Sequence, residues 1–140
     1  MLELSLPALV TAYAELAERH LDAANILLNE GHHDSAVFHS CHAFECICRS
    51  GLLSFGDKVS RAPGGHKTNL DRFLNGSRAR RRRFREAANA VAGNVKVFRD
   101  PALYPDSRGS PYQHFTPKDA GDMWSRVRGI VRDIRNDLNI

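Results

Sequence analysis

Between Asp34 and Phe55 two apolar stripes run side by side, Val37, Cys41, Phe44, Cys48, Leu52 and Phe55 next to Ala36, Ser40, Ala43 and Ile47. Steps of three and four residues put each stripe along one face of an α-helix. A helix apolar over so much of its girth has to lie centrally, with several neighbours covering it. The face left over, His39, His42, Glu45, Cys46 and Arg49, is the most chemically loaded strip in the chain.

The rest of the chain supplies covering helices. Ser5 can cap a helix start and Pro7 fits its first turn, where a missing N–H costs little. Thr11, Glu15, Glu18, Asp22, Asn25 and Asn29 then form a polar side, with Leu9, Tyr13, Leu16, Ala17, Leu21, Ala24 and Leu28 opposite. Gly31 is a left-handed stop and Asp34 a cap for the central helix. Residues 56–65, with Pro63 and the Gly64-Gly65 pair, read as a loop, and His66 as a turn or cap residue with a phosphate contact as the alternative. Thr68 and Asp71 resemble a capping box ahead of a short helix whose apolar side is Leu70, Phe73 and Leu74. Ser77 can cap a further helix with the seam Phe84, Ala88, Val91, Val95 and Phe98.

Pro101, Pro105, Gly109 and Pro111 forbid a regular helix over residues 100–115. Thr116-Pro117-Lys118-Asp119 then opens a last helix with the stripe Ala120, Met123, Trp124, Val127, Ile130, Val131, Ile134 and Leu138. No stretch alternates at period two long enough for a strand. The expected architecture is an all-α, antiparallel up-and-down bundle of four to five helices, one domain over residues 1–140.

Charge is unevenly spread. Residues 76–99 hold Arg78, Arg80, Arg81, Arg82, Arg83, Arg85, Lys96 and Arg99 against Glu86 alone, a net +7 in a chain whose formal charge is +4. Positive groups in the first turn of a helix oppose its dipole by about 0.3–1 kcal/mol each. The run therefore points to an anionic partner, nucleic acid first and an acidic protein second, against the plain alternative of a solvated helix face. Cys41, Cys46 and Cys48, an odd number within one helical segment, read as reduced thiols. No run approaches the roughly 18 apolar residues a bilayer span needs. The start also lacks a basic n-region, apolar h-region and cleavage site, so the expectation is a cytoplasmic protein without a membrane partner.

Several separated pieces in order resemble the HEPN family. Gly31-His32-His33-Asp34-Ser35-Ala36, then Cys41-His42-Ala43-Phe44-Glu45 and Arg49, are similar to that family's glycine, Asp-x-Ala and Ala-x-Glu helix with its basic residue. Gly65-His66-Lys67-Thr68-Asn69-Leu70 resembles its short-helix start, and Arg99-Asp100-Pro101-Ala102-Leu103-Tyr104-Pro105-Asp106 its arginine-bearing Tyr-Pro-Asp loop. The likeness spans residues 8 to 138. It implies a helical bundle that commonly forms homodimers. Members act as metal-independent RNases, as toxins paired with a nucleotidyltransferase antitoxin, or as noncatalytic RNA- or nucleotide-binding modules. It also suggests Glu45 lying opposite Arg99; an intrahelical Glu45–Arg49 pair is the local alternative.

The RNase members use an Arg followed after four to six residues by His. Cleavage without metal needs a base for the ribose 2′-hydroxyl, an acid for the leaving oxygen and a cation for the phosphorane. After Arg99 the histidine's place is taken by Tyr104 and Pro105, and a tyrosine of pKa near 10 is a poor base. Arg108 and His114 have the right count across a turn containing Gly109 and Pro111. His39, His42 and Cys46, with Glu45 as a fourth donor, have ligand spacing, but without a Cys-x-x-Cys knuckle they read as packed histidines; no metal and no cofactor is expected.

The sequence thus points to a noncatalytic RNA- or nucleotide-binding module, the toxin-like half of a pair with a nucleotidyltransferase. Arg78, Arg80, Arg81, Arg82, Arg83, Arg85 and Arg99 would hold phosphates, and Glu45, Arg49, Asp100 and Tyr104 would support the site. Tyr104 and Tyr112 are either base-stacking platforms or loop anchors. The alternatives are an RNase using Arg108 and His114, and an interaction protein gripping an acidic partner.

Overall fold

A computed structural model of the protein describes residues 3–59, 65–75, 85–102, 104 and 115–140; within these, residues 66–68, 85–87 and 96 are described by their backbone alone. The described residues form five helices and no strand: α1 (Leu6–Asn29), α2 (His33–Ser54), α3 (Gly65–Leu74), α4 (Arg85–Phe98) and α5 (Pro117–Leu138). None of these helices is long and apolar enough to cross a membrane.

Local signals set the ends of α1. The Ala8 N–H donates to Ser5 Oγ at 3.3 Å, and Pro7 lies in the first turn. At the other end Gly31 takes φ +83°, which L-residues with a Cβ rarely adopt. The His32 N–H then closes back on the Leu27 carbonyl at 2.8 Å. This tight reversal restarts the helix two residues sooner than a cap at Asp34 would. α2 begins at His33 after an N-cap, His32, whose side chain makes no capping bond. Asp34, expected as the cap, lies in the first turn, where its charge still favours the helix dipole.

α2 is the central element and packs against all four other helices. Both of its expected stripes are buried, and Glu45, Cys46, Ser50 and Gly51 are buried with them. α1 presents Val10, Ala14, Ala17, Leu21 and Ala24 to the core. Ala17, Leu21 and Ala24 were expected there; the rest of the expected face is corrected, since Leu16 is exposed and Leu9, Tyr13 and Leu28 are half-buried. Ala14, Ala17 and Ala24 of α1 lie in one core with Ala36 and Ala43 of α2, and small side chains permit a close interhelical approach. The Ser50 hydroxyl donates to the Val10 carbonyl at 2.7 Å and ties α2 to α1.

α3 begins at Gly65, so Thr68 falls inside the helix instead of capping it. Leu70, Phe73 and Leu74 are buried as their spacing predicts. A Cβ on Gly51 would stand 2.6 Å from the Phe73 ring, so glycine lets α3 close on α2. On α4 the seam Ala88, Val91 and Val95 is buried; Phe84 and the expected cap Ser77 lie outside the described residues. α5 opens with a complete capping box. The Asp119 N–H donates to Thr116 Oγ1, and the Thr116 N–H to Asp119 Oδ2, both at 3.1 Å. Its stripe is buried from Ala120 to Ile134, and the half-buried Trp124 donates its indole N–H to the Leu21 carbonyl at 2.9 Å.

Candidate functional site

Two polar groups from distant parts of the chain meet where the outward strip of α2 faces the end of α4. The Glu45 carboxylate is 3% exposed, and its Oε1 lies 3.0 Å from Nε of Arg99. The N–H does not aim squarely at the oxygen, so the contact is charge pairing more than a directed hydrogen bond. An unpaired carboxylate at this depth would cost several kcal/mol, and the guanidinium offsets that cost.

Arg99 is itself well placed. Its backbone N–H continues the ladder of α4 to the Val95 carbonyl, so a cation sits at the negative end of the helix dipole. Nη1 reaches the exposed Asp100 carboxylate at 3.3 Å. Among the described residues Nη2 has no partner. Past Arg99 the described residues make two more bonds of helical spacing, Ala102 N–H to the Phe98 carbonyl and Tyr104 N–H to the Asp100 carbonyl. Tyr104 is 63% exposed and therefore no core anchor. Phe115 is buried edge-to-face on Phe98 at 5.5 Å, which pins the chain entering α5 to α4.

Arg49 turns away from Glu45. Its guanidinium carbon lies 5.9 Å from the centre of the Tyr13 ring, and the Glu45 carboxylate engages Arg99 and His42. Of the two readings of Glu45, the pairing across the bundle is the one observed.

Beside this pair lies a cluster that the sequence did not assemble. His20 of α1 stacks on His39 at 5.1 Å and meets His42 edge-on at 4.4 Å, while Phe38 stacks on His42 at 5.9 Å. The Nδ1 atoms of His20 and His39 are 2.9 Å apart, hydrogen-bond distance for one ring's N–H on the other's nitrogen. Burial, then the neighbouring His42 and His39, push His20 down to about 4, and burial with His42 also lowers His39. His42 is pushed up to about 9 by the neighbouring Cys46 first and then by Glu45, whose Oε2 lies 3.6 Å from its Nδ1, against the opposing effect of burial. The remaining thiols are core residues, as their stripe implies. Burial and the Glu45 charge push Cys41 up to about 12, and the same causes raise Cys48 well above the ordinary thiol range.

The structure thus unites Glu45, Arg99 and Asp100, and sets Tyr104 one turn further on. Arg78, Arg80, Arg81, Arg82, Arg83, Arg108, Tyr112 and His114 lie outside the described residues, and Arg85 opens α4 by its backbone alone. His20 is the residue that sequence reasoning missed. Its only signal was a histidine on the flank of α1, and no local pattern says which neighbour that flank meets.

The family model for the HEPN domain matches residues 10–137 of the 140-residue chain, and the protein belongs to the HEPN family. Its all-helical bundle is the architecture of that family. A search of curated proteins and one of solved structures each returned no match.

Proposed function

We propose that this HEPN domain is a noncatalytic module that binds RNA or a nucleotide at the Arg99 end of α4. The observation that carries the reading is the Arg99 guanidinium, held at Nε by the charge of a buried carboxylate and, among the described residues, without a partner at Nη2. A fork fixed in this way gives up little freedom on meeting a phosphate. The exposed Tyr104 ring, one turn on, offers a face for a base. In this reading Arg78, Arg80, Arg81, Arg82, Arg83 and Arg85 hold further backbone phosphates.

The proposal extends to a cytoplasmic, homodimeric, toxin-like protein whose partner is a nucleotidyltransferase. Dimerisation is supported by exposed apolar side chains near the start of α1, Leu4 at 60% and Leu6 at 52%. Leu6, Pro7 and Val10 line an apolar recess with Leu53, Leu138 and Ile140. A Leu6→Glu variant should run as a monomer in light-scattering chromatography, and unchanged mass would count against that face.

The binding test is fluorescence anisotropy of a labelled single-stranded RNA with wild type and Arg99→Lys. Lysine keeps a cation for Glu45 but loses the fork, so affinity should fall roughly 10-fold or more while the fold persists. Equal affinity would remove Arg99 from the site. The same RNA, incubated in chelator, should stay intact; cleavage abolished by Arg108→Ala or His114→Ala would replace this reading with an RNase.

A further inference from the structure

The cluster beside Glu45 has the composition of a metal centre. His20, His42 and Cys46 each offer a ligand atom, and all three atoms lie within 4.8 Å of one another. They come from two elements, His20 from α1 and His42 and Cys46 one turn apart on α2. Four-residue spacing on a helix points both α2 donors the same way, and the packing of α1 closes the third side.

We infer that His20, His42 and Cys46 form a binding site for one zinc-class divalent cation. Two imidazoles and a thiolate are the donors that suit tetrahedral zinc, and the metal–ligand lengths of about 2.0–2.3 Å require these atoms to draw together by roughly 1 Å. Side-chain rotation alone supplies a movement of that size. The thiol is 1% exposed, whereas all three histidines are half-buried, so a cation can enter from the imidazole side.

The surroundings resemble an outer shell. His39 Nδ1 lies at hydrogen-bond distance, 2.9 Å, from His20 Nδ1, and Glu45 Oε2 lies 3.6 Å from His42 Nδ1. That nitrogen is buried without a hydrogen-bond partner among the described residues. Carboxylates and imidazoles in such positions orient metal-bound histidines, which makes His39 and Glu45 positioning residues. Three protein donors leave one coordination position for water or an incoming ligand. Because Glu45 also holds Arg99, the cation would be linked to the anion-facing guanidinium through one carboxylate.

The test is a cobalt(II) titration of untagged, chelator-stripped protein, followed by competition with zinc. The expected result is one cobalt per chain, with the visible absorption of a tetrahedral ion and a thiolate-to-cobalt charge-transfer band, both lost on adding zinc. His20→Gln should weaken binding at least about tenfold, Cys46→Ser should abolish the charge-transfer band, and His32→Ala, on the exposed turn before α2, should change neither. Cys46 is buried, so each variant is first checked by circular dichroism. If Cys46→Ser does not fold, His20→Gln decides. Absence of the bands in wild type, their persistence in a folded Cys46→Ser protein, or equal weakening by His32→Ala and His20→Gln would overturn the site. None of these outcomes depends on RNA binding.

Discussion

Two ion pairs of similar length have opposite weight in this protein. Lys118 and Asp122 meet at 2.7 Å with side chains 83% and 50% exposed, where water competes for both charges. Glu45 and Arg99 meet at 3.0 Å with side chains 3% and 24% exposed, where removing one partner strands the other. Glu45→Ala should therefore lower stability by about 2–3 kcal/mol, read as an earlier urea midpoint at an unchanged slope. Lys118→Ala should leave that midpoint where it is; equal shifts would mean that depth does not govern these pairs. The meeting of Glu45 and Arg99 was legible because the pieces of sequence that hold them resemble ordered HEPN motifs, which set the two opposite each other. His20 was not, since its partners lie 19 residues and more along the chain.

Among the helices, α5 was legible from its first residue because cap, proline and acid all act within one turn. The buried face of α1 was legible only in part: Ala17, Leu21 and Ala24 are buried as their spacing predicts, while Leu16 was expected inward because an isolated helix looks best with its leucines inside. The structure turns Leu16 outward at 37% exposure and buries Ala14, Ala17 and Ala24 completely. Close approach to α2 decides that rotation, and α2 is not part of the local pattern. Ala17→Leu should accordingly destabilise the fold by about 1–3 kcal/mol through overpacking, whereas Leu16→Ala should cost under about 1 kcal/mol. The reverse order in a denaturation series would restore the leucine-inward face. Gly51 makes the same point between α2 and α3. Its Cβ would stand 2.6 Å from the ring of Phe73, which is itself 1% exposed. Gly51→Ala should cost about 1–3 kcal/mol despite alanine's better helix propensity, and a stabilised variant would show that α3 can move aside.

At the scale of the whole molecule, a bundle centred on α2 carries Arg99 at one helix end, and the densest positive charge of the chain lies in residues 76–99. The central claim is that this region captures the phosphates of RNA. Its most direct measurement is the affinity for single-stranded RNA across a range of salt, for wild type and for a variant with Arg78, Arg80, Arg81, Arg82, Arg83 and Arg85 changed to alanine. Each phosphate contact adds about −0.7 to the slope of log affinity against log salt, so the wild-type line should be steep and the variant's shallower by several such steps. Parallel lines, or binding indifferent to salt, would contradict the account and turn attention to an apolar partner surface.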